Sequence, residues 1–201
     1  GIGGYSCLEP MPVGIAADGS TFSLQIKPGR SHRVIGTSGS GKGNYVLQEL
    51  LWCGFSRDAW VYAIDFEGGE DFDRLRPMFR SYYSAKTGNT PDDVLDQLEA
   101  DAYQRVGLNG AKQVVISDTC PLLHLLIDGY HRLTAAQWDR VHNIVAELRK
   151  YGVHVTLLDQ VGTKKHVTSR PDTLSLCSGR IVFDCAGDPS AYSGGTGLYL
   201  T

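Results

Sequence analysis

The stretch Gly36–Gly43, which reads GTSGSGKG, decides the fold of this chain. It fits the pattern G-x-x-x-x-G-K and lies between a short apolar run that ends at Ile35 and a segment with helical spacing. Glycines let the backbone curl so that successive N–H groups point at one phosphate, and the positive end of the following helix adds to the attraction. Lys42 places a point charge against the outer phosphates. The sequence therefore predicts a strand–loop–helix unit that cradles a nucleoside triphosphate.

One position of this loop departs from the usual pattern. The residue after Lys42 is normally Ser or Thr, whose hydroxyl binds Mg²⁺, and here it is Gly43. Asn44 carries an amide oxygen, but one residue further along a helix points about 100° away. We therefore expect Mg²⁺ to be bound weakly or through water. The predicted nucleotide-binding residues are Gly36, Thr37, Ser38, Gly39, Ser40, Gly41, Lys42, Gly43 and Asn44.

The size and charge of the chain fit a single globular domain. Its 201 residues suffice for one core, and its fractions of 42% apolar and 20% charged residues are ordinary. The net charge of −3 disfavours a domain whose main task is to coat DNA. Five dispersed cysteines without a C-x-x-C pair favour reduced thiols over disulfides or a cysteine zinc site. No apolar run approaches the roughly 20 residues that span a bilayer, and we expect the chain to be one domain of a longer protein.

Alternating apolar patterns predict a mostly parallel α/β sheet with helices on both faces. Leu122–Ile127 is nearly continuously apolar, as is usual for a strand that is buried on both faces. The predicted strands are Phe22–Ile26, Arg33–Ile35, Trp60–Ile64, Leu122–Ile127, Val153–Leu158, Arg180–Phe183 and Leu198–Thr201.

Three helices are predicted from spacing and capping residues. The first covers Asn44–Trp52, and the second begins at Thr90, a capping residue followed by Pro and two acids. The third begins at Thr134, which forms a capping box with Gln137, and Gly152 supplies its stop. The inward faces are Leu95, Leu98, Ala102 and Val106 in the second helix and Trp138, Val141, Val145 and Leu148 in the third.

A buried strand that ends in an acid is the second feature of a nucleotide site. In many ATPases of this kind an Asp at such a strand end holds the Mg²⁺ shell, and a Glu directly after it activates water. Asp128 fits the first role, but Gly129 follows it, so the general base is missing. Asp65 is a second candidate for the Asp, and an acid that merely ends a strand is the structural alternative. Glu67, two residues after Asp65, could reach the site, but we expect it to be a solvated loop acid.

Four stretches give the chain a resemblance to a known family. They are MPVGI at residues 11–15, GSGKGN at 39–44, LIDGY at 126–130 and YGVHVTL at 151–157. With them the chain resembles the FtsK/SpoIIIE/HerA group of ring-forming motor ATPases, and more narrowly the C-terminal ATPase domains of the type VII secretion coupling protein EssC/EccC. The resemblance implies a RecA/FtsK-like P-loop NTPase fold that spans residues 1–201.

The same resemblance implies further site residues. The strand that contains YGVHVTL leads in the family to a polar residue that senses the γ-phosphate, which here is Gln160 or Asp159. Arg149 occupies the place of an arginine that reaches into the neighbouring subunit's site, although a cation that merely ends a helix is an equally simple explanation. Arg180 is expected to be structural.

The resemblance also implies cofactors, partners and a location. These are ATP and Mg²⁺, secreted substrates of the WXG100 or LXG type or their chaperones, neighbouring ATPase domains of the same chain, and a homo-hexamer of the full protein. The domain would lie on the cytoplasmic side of a bacterial plasma membrane, in a membrane-anchored protein.

Three functional interpretations remain open from the sequence. The first is a degenerate ATPase domain that binds nucleotide, hydrolyses it weakly or not at all, and acts in substrate recognition or regulation of export. The second is a DNA translocase of a conjugative or phage element, and the third is a structural domain whose phosphate loop stays empty. Lys164-Lys165-His166 is a basic turn too short for a DNA phosphate track. His124 and His131 have no carboxylate or cysteine at metal-ligand spacing in the sequence.

Overall fold

Seven parallel strands form the central sheet of this computed structural model, which describes residues 4–15, 18–37, 39–107, 113–160, 171–183 and 197–200. Two further strands, β1 (Met11–Ile15) and β2 (Thr21–Leu24), pair antiparallel with each other. The sheet has the order β5-β4-β6-β7-β3-β8-β9, and each pair of neighbours is parallel. Its strands are β3 (His32–Gly36), β4 (Ala59–Asp65), β5 (Phe79–Ser84), β6 (Leu122–Asp128), β7 (Val153–Gln160), β8 (Gly179–Phe183) and β9 (Gly197–Leu200).

The helices begin at the residues that the capping patterns predict. Thr90 and Thr134 each form a complete capping box, with Asp93 and Gln137 respectively. A 3-10 turn at Leu148–Tyr151 follows the helix that Thr134 caps, and Gly152 ends it at φ 80°. The helices are α1 (Lys42–Phe55), α2 (Glu70–Arg74), α3 (Pro91–Tyr103), α4 (Ala135–Glu147) and α5 (Pro171–Leu176).

Two details of the sequence prediction are wrong. Val106 does not continue the inward face of α3, because the helix ends at Tyr103 and the Val106 side chain is 55% exposed. The strand predicted at Phe22–Ile26 is Thr21–Leu24, and it belongs to the small antiparallel pair rather than to the main sheet. The strand β5 was not predicted, because its sequence FRSYYS is too polar to indicate a buried strand.

Apolar residues of the sheet are covered on both faces. Along β6, Leu123, Leu125 and Ile127 belong to one core cluster together with residues of α3 and α4. Leu122 and Leu126 belong to a second cluster together with α1 residues. This arrangement confirms the predicted α/β class with helices on both faces, and it explains the continuous apolar run of β6. None of the helices in the described ranges combines the length and apolarity that crossing a bilayer requires.

Candidate nucleotide-binding site

The phosphate loop joins the end of β3 directly to the start of α1. Gly39 and Gly41 have φ values of 78° and 96°, a left-handed region that other residues enter at a cost of about 1–2 kcal/mol. Gly36 needs to be glycine for a different reason, since a Cβ there would lie 2.5 Å from Ser40 Oγ and 3.0 Å from Phe183 Cβ. The loop is therefore shaped by glycines as the motif predicts, and Ser38 lies outside the described residues.

The loop and the end of β6 enclose one cavity of about 370 Å³. This volume lies within the range of about 300–1,000 Å³ that is usual for small-molecule sites. Lys42 and Asp128 line the same cavity, so a cation and a carboxylate meet where phosphates and a divalent metal would have to lie. The lining residues are Thr37, Gly39, Gly41, Lys42, Gly43, Asn44, Asp128 and Leu158.

Gly43 lies in open space on the first turn of α1. A Cβ at this position would meet no atom within 4 Å, and its φ is not in the left-handed region. The packing therefore does not require glycine here, and a Ser or Thr would fit. The site therefore lacks the usual hydroxyl ligand of the metal even though the structure has room for one.

Asp128 reaches the cavity because of the strand order. The strand β7 separates β3 from β6, and the ends of these parallel strands lie along one edge of the sheet. Burial raises the pKa of Asp128 to about 6, and the negative charge of Asp65 adds to this effect while Lys42 opposes it. Near neutral pH the carboxylate is mostly ionised, and Lys42 compensates only part of its negative charge. Such a carboxylate suits a ligand of a divalent cation.

Asp65, the rival candidate, shapes the loop that follows β4. It pairs in register with Asp128 on the neighbouring strand and is fully buried. Its carboxylate accepts three backbone hydrogen bonds, from the N–H groups of Glu67, Gly68 and Gly69 at 2.9, 2.8 and 3.0 Å. Because both of its oxygens are engaged, Asp65 fixes the backbone of this loop, whereas Asp128 faces the phosphate cavity.

Glu67 lies beside the residue that lacks the expected base. A Cβ at Gly129 would lie 2.7 Å from Glu67 Oε1, and the φ of Gly129 is 73°. The Glu67 side chain is 41% exposed, and its Oε1 is 3.6 Å from Arg132 Nη2. Glu67 is thus an exposed loop acid, as expected, but its carboxylate also occupies the space next to position 129. A larger residue at position 129 requires Glu67 to move.

The residues suggested by the resemblance lie in three different places. The Gln160 backbone pairs with Gly36 at the start of the phosphate loop, while the side chains of Asp159 and Gln160 lie outside the described residues. Arg149 is exposed in the turn before β7, at the opposite end of that strand from the loop, so it does not reach the site of its own chain. Arg180 lines a different cavity, and residues 164–166 lie outside the described ranges.

A buried polar cluster was missed by the sequence analysis. His124 does have a carboxylate neighbour, since its Nε2 lies 2.9 Å from Glu49 Oε1. His32, His154 and Thr156 join the same cluster. One signal was available in the sequence: Glu49 falls among Val46, Leu50 and Cys53 on the inward face of α1. A charged residue on an apolar helix face needs a buried partner.

Comparisons with known proteins give the fold but no close relative. No protein-family model matches this sequence, and no curated protein matches it. Among solved structures, EssC (ATPases 2 and 3) from Geobacillus thermodenitrificans aligns with a TM-score of 0.65 at 15% identity, over 86% of this chain and 36% of that one. The cytoplasmic domain of EssC aligns with a TM-score of 0.69 at 14% identity, over 93% and 40%.

A third similar structure is EccC (ATPases 2 and 3) of Thermomonospora curvata in complex with a signal sequence peptide. It has a TM-score of 0.64 and 18% identity, over 93% of this chain and 38% of that chain. The chain therefore has the fold of the EssC and EccC ATPase domains, which confirms the predicted fold class. It spans about 36–40% of the length of these three proteins.

Proposed function

We propose that this chain is a nucleotide-binding domain of a type VII secretion coupling protein that hydrolyses ATP slowly or not at all and acts in substrate recognition or in regulation of export. The observation that carries the proposal is the composition of the phosphate cavity. Lys42 and Asp128 both line it, yet residue 43 offers no hydroxyl and residue 129 no carboxylate. Such a site keeps the groups that bind and lacks two groups that speed hydrolysis.

The binding step uses groups that are present. The backbone N–H groups of the glycine-rich loop and the Lys42 ammonium would hold the phosphates. Asp128, ionised near neutral pH, would hold Mg²⁺ through a water molecule because the hydroxyl ligand is missing. When bound, Mg²⁺ neutralises charge that develops on the β- and γ-phosphate oxygens.

The hydrolytic step lacks its usual support. A positioned general base typically contributes about 10²–10⁴-fold to the rate, and one stabilising ligand of the developing charge about 10²–10³-fold. Glu67 lies beside Gly129, where the general base is missing, and would be the carboxylate that orients a water in any residual turnover. Its Oε1 also lies 3.6 Å from Arg132 Nη2.

The similar structures support the proposed partners. The EccC structure contains a signal sequence peptide, so a segment of a secreted WXG100 or LXG protein or of its chaperone is the proposed partner. The EssC and EccC structures described as ATPases 2 and 3 contain more than one ATPase domain, which supports neighbouring ATPase domains in the same chain. The proposed homo-hexamer of the full protein is an expectation from the resemblance alone. The domain would be cytoplasmic in a membrane-anchored bacterial protein. The DNA translocase alternative gains no support from a chain of net charge −3.

Calorimetry with ATP, with and without Mg²⁺, tests the binding proposal. We expect the wild-type chain to bind ATP with only a small gain from Mg²⁺, and Lys42→Ala to lose binding. Gly43→Thr has room for its side chain, so it should increase the gain from Mg²⁺, whereas Gly43→Ala, a matched control, should not. No heat at millimolar ATP would overturn the binding proposal and favour an empty structural loop.

Turnover measurements test the hydrolytic part separately. We expect rates well below about 1 s⁻¹, the lower end of typical enzymes. Glu67→Gln should remove residual turnover without weakening ATP binding. A faster rate that Lys42→Ala abolishes would show that the domain is an active ATPase. A band shift with double-stranded DNA at moderate salt would instead favour the translocase.

A further inference from the structure

Three histidines and one glutamate meet in the core, away from the phosphate cavity. Glu49 lies on α1, His32 on β3, His124 on β6 and His154 on β7, so four elements contribute to one cluster. Glu49 and His124 are fully buried, and His154 is 1% exposed. Removing a carboxylate from water costs several kcal/mol, and a well-packed apolar residue usually serves a core better. A cluster of this composition therefore calls for an explanation beyond packing.

The two carboxylate oxygens of Glu49 have different surroundings. Oε1 accepts a hydrogen bond from the Thr156 hydroxyl at 2.6 Å and lies 2.9 Å from His124 Nε2. Oε2 lies 3.0 Å from His32 Nε2, and His32 Nδ1 lies 3.0 Å from His154 Nε2. Thr156 and His124 thus hold the carboxylate in one orientation. Its second oxygen is turned to the two remaining histidines.

The side chains of His32, His154 and Glu49 each offer one ligand atom, and these three atoms lie within 4.8 Å of one another. An ion at about 2.1 Å from each ligand of a tetrahedral site requires ligand separations of about 3.4 Å, so the more distant of these atoms would have to move closer when an ion binds. The Nδ1 atoms of His124 and His154 are buried without a hydrogen-bond partner in the described part of the chain.

The cluster has access to solvent on one side. His32 and His154 line a cavity of about 300 Å³, together with Tyr45 and Ile26. This cavity is separate from the one at the phosphate loop, and the two share no lining residue. An ion can therefore reach the cluster without passing the nucleotide site, and a fourth coordination position can face the cavity.

We propose that His32, His154 and Glu49 form a binding site for a divalent transition metal of the Zn²⁺ type. The two imidazole ligands favour such ions over Mg²⁺ or Ca²⁺, and two histidines with one glutamate form a known zinc ligand set that leaves a position for water. Thr156 and His124 do not bind the ion themselves but hold Glu49 in position, as the residues that hydrogen-bond to metal ligands commonly do. The exposed Lys27 and Arg30 also line the cavity, so water or a small anion fits the fourth position better than a second cation.

The first experiment titrates the chelator-treated chain with Zn²⁺ in the absence of nucleotide. We expect one ion per chain by calorimetry and a higher melting temperature in the presence of Zn²⁺. Co²⁺ as a substitute should give the visible absorption bands of a four- or five-coordinate ion with nitrogen ligands. Lys42→Ala should retain Zn²⁺ binding, which separates the failure of this proposal from a failure of the nucleotide proposal.

The variants assign the ligands. Glu49→Gln and His154→Phe should abolish binding, and Thr156→Val should weaken it about 10–100-fold. The control is His142→Gln. This histidine is hydrogen-bonded to Thr173, outside the cluster, so its replacement should not change the affinity for Zn²⁺. If the ligand variants fail to fold, Thr156→Val and the cobalt spectrum of the wild type decide. No stoichiometric binding, an octahedral cobalt spectrum, or equal weakening by His142→Gln would show that the cluster is a hydrogen-bond network only.

Discussion

Replacing Asp128 by Asn should stabilise the chain at neutral pH while weakening its affinity for Mg²⁺–ATP. The pKa of Asp128 is raised from 3.8 to about 6 by burial and by the charge of Asp65. The folded state therefore binds this proton more tightly than the unfolded state does, and ionisation of Asp128 opposes folding. The penalty is absent below about pH 4 and grows as the pH rises through about 6. With about 1.4 kcal/mol for each pKa unit, it reaches about 3 kcal/mol at neutral pH.

Urea unfolding between about pH 4.5 and about pH 8 measures this effect. The difference in free energy of unfolding between Asp128→Asn and the wild type should be small at the acidic end and rise toward about 2–3 kcal/mol at the basic end. Asp71→Asn is the control for the change from Asp to Asn, because Asp71 is exposed on the first turn of α2. A variant that is no more stable at neutral pH, or a difference that does not vary with pH, would refute the reasoning.

Other perturbations separate packing, backbone and charge effects. In urea unfolding, Gly129→Ala should destabilise the chain by about 1–2 kcal/mol from backbone strain alone. Adding Glu67→Ala should recover part of the stability, because it removes the contact at 2.7 Å between the new Cβ and the Glu67 carboxylate. A double variant that is no more stable than Gly129→Ala would contradict this contact. Affinity for Mg²⁺–ATP should fall as the pH drops through about 6. Titration calorimetry measures this, and Asp128→Asn supplies the reference. The phosphates of ATP titrate in experiments with either protein, but only the wild type has the Asp128 carboxylate that becomes protonated. Trp138→Ala removes a side chain that is 2% exposed and should cost about 3–5 kcal/mol in the same unfolding assay; a loss below about 1 kcal/mol would show that the site collapses around the gap.

The elements that could be predicted are those whose signal is local. Thr90 and Thr134 mark helix starts through hydrogen bonds that span three residues, and the phosphate loop depends on glycines within eight positions. The apolar run of β6 follows from burial on both faces, which requires no knowledge of which strands are its neighbours. These features were predictable because their physical causes are contained in the segment itself.

The features that were missed depend on contacts between distant segments. The strand β5 is defined by its pairing with β4. Two of its polar side chains find their partner on α2, where Asp73 Oδ1 accepts hydrogen bonds from the Tyr82 and Ser84 hydroxyls. The position of the Glu67 carboxylate beside Gly129 depends on the fold, since the two residues are far apart in the sequence. The cluster around Glu49 joins four elements, so the sequence shows only that Glu49 interrupts the apolar face of α1 and not which residues it meets. Such contacts carry no local pattern that identifies the partners.

The order of strands also sets the order in which the chain can fold during its synthesis. The strand β3 lies between β7 and β8, so His32 pairs with Thr156 on one side and with Gly179 on the other. Both neighbours are made more than a hundred residues later, and contacts so distant in sequence form slowly. A nascent chain that ends before Val153 has already made the phosphate loop but holds neither strand that flanks β3. The segment that binds phosphate is therefore translated early and reaches its place in the sheet late, and until then its apolar residues Val34 and Ile35 must be kept from other chains.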